Sequence, residues 1–450
     1  MTTETTAPKH HSQFRLLGSS RFLPLFFTQA LGAFNDNIFK NALVILITYS
    51  AAASLHGIDT QTLVALAGGI FILPFFLFSA TAGQLADKLP KPDLVRKVKL
   101  LEIAIMIAAA IGFAIESQIL LLVVLFFLGV QATLFGPLKY GLLPELLEED
   151  ELIGGNALIE TATFLVILIG TILGGIIILK AHGLTMVSIT CVGLAILGWW
   201  TSRTIPARPA ASPSLRINYN IVAETFSIVR LSYQDLPIFR SIIGISWFWL
   251  IGSVFIILFP VFARDVLNGN EQIVAMLLSI FSIGIGIGSL VCDKLLKGRV
   301  RDYYVPVGAL GITLFSADLF FASFPLLATT KGDFIGITAF LHNGDNWRIV
   351  GDLFGISICG GLYAVPLYAI LQARSAPTIR ARLIAANNIL NALAMVGASG
   401  LIFWLTDKGA SVPGIILAIG LLNIPITLYV SYVVISTAFT RVAKKLKALS

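Results

Sequence analysis

Apolar runs of roughly 20 residues, the length that crosses ~30 Å of hydrocarbon, recur twelve times along this chain. They fall near 22–50, 63–85, 95–115, 119–143, 153–180 and 184–201, then near 238–262, 271–293, 303–325, 350–372, 383–406 and 412–437. Inside lipid a backbone satisfies its N–H and C=O groups only in helices or closed barrels, and runs of this length read as helices. Composition excludes water as the solvent. The 450 residues are 57% hydrophobic and 12% charged, where a soluble domain carries about a quarter charged. The expected fold class is an all-α membrane protein with twelve transmembrane helices.

A net charge of +7 could suggest nucleic acid, but the placement of the cations argues against such a partner. Of 31 Lys and Arg, 24 lie in alternate connections. These are the N-terminal tail, the 2–3 loop (Lys88, Lys91, Arg96, Lys97, Lys99), the central linker, the 8–9 loop, the 10–11 loop and the C-terminal tail (Arg441, Lys444, Lys445, Lys447). By the positive-inside rule both termini are cytoplasmic. Residues 1–21 are expected to be a tail rather than a signal peptide, because the first apolar run is too long and lacks a small-residue cleavage pattern. Cys191, Cys292 and Cys359 sit in or at the ends of apolar runs and read as packing residues. No cofactor or metal site is expected.

Residues 202–237 interrupt the pattern with Pro206, Pro209 and Pro213, followed by an amphipathic segment carrying Val222, Phe226 and Val229. This stretch reads as a cytoplasmic linker with a surface helix. It divides the chain into a tail (1–21), a six-helix bundle (22–201), a second six-helix bundle (238–437) and a basic tail (438–450). The halves echo each other, as transporter repeats do. Gly83-Gln-Leu-Ala-Asp87-Lys88 returns as Ser289-Leu-Val-Cys-Asp293-Lys294, and Leu152-Ile-Gly-Gly-Asn156 as Leu383-Ile-Ala-Ala-Asn387. Pro137 in span 4 has its counterpart in Pro366 in span 10. Two pseudo-symmetric bundles around a central cavity follow. The Gly83-x-Leu85-x-Asp87-Lys88 pattern resembles the signature loop of the major facilitator superfamily. An Asp at a helix end near cations can form an interhelical latch, so Gly83, Asp87, Lys88, Asp293 and Lys294 are the candidate gating residues.

A charge at mid-membrane costs on the order of 2.5–3.5 kcal/mol on the insertion scale, so residues that carry one are the best functional candidates. Span 1 holds Asn35, Asp36, Asn37, Lys40 and Asn41. Gln29, Gly32, Asp36 and Lys40 share one helix face, and Asp36 and Lys40 have the i,i+4 spacing of an ion pair. That face lines a polar cavity or a partner helix. Lys139 in span 4 and Asn156 and Glu160 in span 5 complete the substrate or coupling set, with Glu160 placed to answer Lys139. Lys139 snorkelling to the interface is the alternative reading. In the second half Asp318 is the acid within span 9, with Asp352 at the edge of span 10, and Trp247, Phe248, Trp249 and Phe255 of span 7 suggest an apolar wall. Gly170-xxx-Gly174 and Gly284-xxx-Gly288 read as close-packing faces. No Walker or zinc pattern occurs, and an enzyme is not expected.

The run from Phe27 to Asn41, Phe135-Gly-Pro-Leu-Lys139-Tyr140-Gly141 and Asn156-Ala-Leu-Ile-Glu160 resemble spans 1, 4 and 5 of bacterial lysophospholipid transporters. The resemblance implies inward flipping of lysophospholipid in the inner membrane, a functional acyltransferase/acyl–carrier-protein synthetase partner, and headgroup or coupling roles for Asp36, Asn37 and Lys139. That no fused acyltransferase follows residue 450 departs from the fused relatives and bears on the substrate more than on the family; the transporter is expected to be a monomer among membrane lipids. A proton-coupled exporter of a drug, siderophore or metabolite, and a scaffold delivering lipid to an acyltransferase, remain alternatives.

Overall fold

A computed structural model describes residues 12–49, 60–328 and 332–432. Twelve helices of 19 residues or more form the body. They are α1 (Leu23–Tyr49), α2 (Thr60–Lys88), α3 (Lys91–Ala114), α4 (Gln118–Leu146), α5 (Leu152–Ile178), α6 (Gly183–Ser202), α8 (Leu236–Val261), α9 (Glu271–Leu296), α10 (Val305–Ser323), α12 (Asn346–Arg374), α13 (Arg380–Asp407) and α14 (Val412–Val430). Two short helices, α7 (Ile221–Ser232) and α11 (Ile337–His342), lie in the connections. Among the described residues eleven helices are long and apolar enough to cross a membrane. α3 fails that composition test because Lys97, Lys99 and Glu102 enter its apolar stretch, yet it packs between α4 and α6 as an integral member. The C-terminal tail, the 433–437 end of the last span and residues 1–11 of the N-terminal tail lie outside the described residues.

The pairing of helices repeats between the halves. α1 packs on α5, α2 on α4, α3 on α6 and on α4. In the second half α8 packs on α13, α9 on α12, α10 on α14 and on α12, which is the same pattern. The bundles meet along two equivalent seams, α2 with α13 and α5 with α9. We call the end where α2 turns into α3 and where residues 203–220 join the halves the linker end.

With lipid as apolar as leucine, close backbone approach rather than water exclusion holds such helices together. Glycine supplies it. A methyl at Gly170 would sit 2.9 Å from the Phe34 carbonyl oxygen of α1, and Gly174 lies against the Ile38 backbone. Gly284 and Gly288 of α9 face Ser357 and the Ile358 backbone of α12. Both small-residue faces read from the sequence are therefore helix contacts.

α7 is amphipathic in a way the spacing only half reveals. Val222 and Phe226 are exposed, while Ile228 is buried among Ala80 of α2 and Ala385, Ala386 and Ile389 of α13. The helix thus rests on the α2–α13 seam, with Val229 only packed beside it. At the equivalent α5–α9 seam, Gln13 donates from Nε2 to the Leu290 carbonyl of α9 at 3.0 Å and packs against Gly154 of α5. The sequence places Asp318 within span 9; it lies near the far end of α10, half-exposed, and is paired with Arg348.

Candidate functional site

Between the halves lies a cavity of about 280 Å³. Its wall in the first half carries Gln29, Asp36, Asn37 and Lys40 from α1, Lys99 from α3, and Gln131 and Lys139 from α4. The face predicted from span 1 therefore does border a chamber. The Asp36–Lys40 ion pair expected from their spacing is not formed. Lys40 Nζ lies over the Phe71 ring at 4.3 Å from its centroid, and Lys139 Nζ over Tyr140 at 4.3 Å. Neither ammonium has a carboxylate within 4.0 Å among the described residues. Asp36 Oδ1 is buried with no hydrogen-bond partner. Asn37 donates to the Ala33 carbonyl of its own helix at 2.7 Å.

Lys99 and Glu102 belong to this site, and the sequence reading missed them by assigning Lys99 to the 2–3 loop. Lys99 Nζ bonds Glu102 Oε2 at 2.6 Å, and both side chains are completely buried. Glu102 also accepts from Asn35 Nδ2 at 3.1 Å and from Gln131 Nε2 at 2.9 Å. Lys91, another cation counted in that loop, is buried at the start of α3 and pairs with Glu145 at 2.6 Å. The signal for Glu102 was available: an acid inside an apolar run.

Glu160 and Asn156 sit behind the chamber wall, toward the linker end. Tyr140 donates its hydroxyl to Glu160 Oε1 at 2.6 Å, so Glu160 answers Lys139 through Tyr140 rather than by direct contact. The Tyr140 ring stacks on Tyr368 of α12, with centroids 4.6 Å apart and planes 11° from parallel. Asn156 exchanges two hydrogen bonds with Gln372 of α12, at 2.8 and 2.9 Å. These contacts cross from one half to the other and form the floor of the cavity. Glu160 Oε2 is already unpartnered, so Tyr140→Phe removes the last donor from a buried carboxylate. The expected cost is about 1–3 kcal/mol, read as a lowered melting temperature in detergent with the aromatic stack retained.

Nearer the linker end the Asp87 carboxylate accepts from the Ala381 N–H at 3.0 Å, the Arg382 N–H at 3.3 Å and Arg382 Nε at 3.1 Å. Its partner is the N-terminus of α13, where unsatisfied N–H groups and the helix dipole favour an anion. Asp293 lies in the pseudo-equivalent place, against Gly154 in the first turn of α5. Lys88 is half-buried and Lys294 exposed; the cation that engages Asp87 comes from α13, not from the adjacent loop. Gly83 lets the helices close, since a methyl there would meet Ala385 Cβ at 2.8 Å and Arg382 Cα at 2.9 Å. With the floor, these contacts shut the linker end.

The apolar wall is not the one expected from span 7. Trp249 alone of the α8 aromatics named above borders the chamber, its Nε1 donating to Tyr368 Oη at 2.9 Å. Trp247 turns to Asn423 of α14 at 2.8 Å, and Phe255 packs in the core with Phe259 and Phe281. Residues two apart on a helix point some 200° from one another, so Trp247 and Trp249 cannot share a face. The apolar wall comes instead from Phe71, Ile72 and Phe75 of α2, with Ala392 and Met395 of α13. Farther along that seam, Gly68 and Gly69 of α2 and Gly397 and Gly400 of α13 each face open space. α2 and α13 touch at Gly83, and at these four glycines neither helix closes on the other.

The family model of the Major Facilitator Superfamily matches residues 25–399. The chain is 27% identical to the lysophospholipid transporter LplT of Enterobacter sp. (strain 638), covering 88% of this chain and 91% of that protein. It is 26% identical to the protein of the same name from Klebsiella pneumoniae (strain 342), covering 90% and 93%. Among solved structures, a bacterial homologue of the iron transporter ferroportin in an outward-facing state superposes with a TM-score of 0.67 at 16% identity, covering 91% of this chain and 99% of that one. The human organic anion transporter MFSD10 gives 0.71 at 14%, covering 91% and 99%. At such identities these structures speak to the fold alone.

Proposed function

The chain belongs to the Major Facilitator Superfamily, and on that premise we propose that it carries lysophospholipids from the outer to the inner leaflet of a bacterial inner membrane by alternating access. The observation that carries this reading is a cationic chamber that adjoins an apolar seam. Drug-sized ligands occupy pockets of ~300–1,000 Å³; at about 280 Å³ this chamber suits a polar headgroup, and an acyl chain has to lie outside it. Phe71, Ile72 and Phe75 lead from the chamber to the α2–α13 gap, where a single chain can run into the surrounding lipid.

In this scheme Lys40 and Lys139 meet the phosphate, while Asp36 meets a headgroup amine or a coupling cation. Their ammonium groups rest on aromatic faces instead of carboxylates, so they can engage an incoming anion without first breaking an ion pair. With the linker end taken as cytoplasmic from the placement of its cations, the closed Asp87 and Tyr140–Tyr368 layers support reading this as the outward-facing form. The similarity to LplT proteins supports the substrate class. An acyltransferase would consume the delivered lipid.

Purified protein in liposomes, with labelled lysophosphatidylethanolamine added outside, tests the proposal. Protein-dependent inward movement is expected with no other protein present. Absence of movement in vesicles holding correctly folded transporter overturns it and favours a scaffold.

A further inference from the structure

We propose that Lys99 is a specificity-determining residue of the chamber, the positive pole of a buried dipole that selects amphiphiles with an anionic headgroup. The inference rests on the lysophospholipid reading and adds to it a residue and a selection rule.

Three features of the Lys99–Glu102 pair point this way. First, its orientation is polar with respect to the cavity: Lys99 borders the chamber and Glu102 does not. Second, the slot is built for this side chain. Lys99 Nζ occupies the space that a side chain at Gly32 of α1 would take, a methyl at Gly198 of α6 would sit 3.8 Å from the Lys99 stem and ammonium, and the Phe135 ring centroid lies 4.8 Å from Nζ. Third, the counter-ion is immobilised by Asn35 and Gln131, so both Glu102 oxygens are engaged. Asn35 immediately precedes Asp36 in the chain, which ties this network to the cavity carboxylate. The pair is neutral as a whole, which limits the cost of burying it. In low dielectric its near pole still projects a positive field into the chamber. Fully buried itself, Lys99 adds a positive pole behind the wall to the ammonium groups of Lys40 and Lys139, against the one carboxylate of Asp36.

A merely structural pair makes a different prediction from a selective one. Lys99→Met or Glu102→Gln alone strands a buried charge, so each lowers the melting temperature whichever role is correct. The double variant removes both charges and is expected to recover most of that loss. If Lys99 selects the headgroup, K99M/E102Q takes up lysophosphatidylethanolamine with a KM raised about ten-fold and kcat little changed. Purified, it also binds dodecyl phosphate about ten-fold more weakly than wild type, while its affinity for dodecyltrimethylammonium does not fall. A double variant with wild-type KM and wild-type dodecyl phosphate affinity overturns the inference and leaves the lipid reading standing. Should the wild type move no lysophospholipid yet bind dodecyl phosphate through Lys99, the transport reading falls and the selection rule stays. A wild type that does not distinguish the two detergents removes the rule outright.

Discussion

Asp36→Asn is expected to abolish lysophospholipid uptake, by ~100-fold or more, in a protein that melts no lower than wild type. The two halves of this expectation have separate causes. One oxygen of the carboxylate is buried without a donor, and no ion pair to Lys40 compensates it. A buried carboxylate in that condition is a liability to the fold, and the neutral amide of the same shape relieves it. If Asp36 holds the headgroup amine or the coupling cation, losing the charge removes an interaction of ~2.7 kcal/mol at two decades of rate. Initial uptake rates in liposomes, paired with a thermal melt of the same preparation, read both. Wild-type uptake in the variant would show that Asp36 is a passive part of the wall.

Gly83→Val gives the second large effect, by a different route. The position tolerates no Cβ when the linker end is shut, because Ala385 Cβ, Arg382 Cα and the Ala381 carbonyl oxygen would stand 2.8, 2.9 and 3.0 Å from it. Overpacking a fitted contact costs roughly 1–3 kcal/mol, and here the cost falls on one conformation only. The variant should favour a form open at the linker end, with uptake reduced ~10- to 100-fold. A cysteine introduced at Asn388, which borders the chamber, should then react faster with a thiol reagent supplied from that side. Unchanged labelling with normal transport would mean that the α2–α13 contact is not part of the cycle.

The apolar runs made the helices legible because lipid permits few alternatives, and the repeat of Asp87 in Asp293 made the two halves legible. α3 shows where such reading thins out. Its first turns carry Lys91, Arg96, Lys97 and Lys99 and look like loop, although Lys91 and Lys99 turn inward to Glu145 and Glu102. Whether a cation serves topology or a buried partner depends on what another helix presents to it, and sequence distance does not encode that. Asp36, Lys40 and Lys139 were readable as chamber residues because charge in a membrane needs a polar neighbour, and Asn37 through its place beside Asp36 in the span-1 motif. The aromatic wall was misplaced on α8, since composition names the rings but only helical phase aims them. Asn388 and Asn391 of α13, which also border the chamber, carry no charge and gave no comparable signal. Asn156 and Glu160, read as substrate or coupling residues from their polarity in span 5, belong instead to the floor, where Gln372 and Tyr140 engage them.

Neither seam at the linker end is held by membrane helices alone. α7 covers one through Ile228, and the Gln13 turn covers the other. The linker is further tied down by Gln84 with Asn218, by the Ser212 N–H on the Asp87 carbonyl and by Arg208 on the Glu145 carbonyl. These fastenings lie outside the chamber. Each can be strengthened or weakened by a single substitution that leaves the cargo's surroundings intact. Under the alternating-access proposal, how long the carrier dwells on each side of the bilayer is therefore adjustable separately from what it carries.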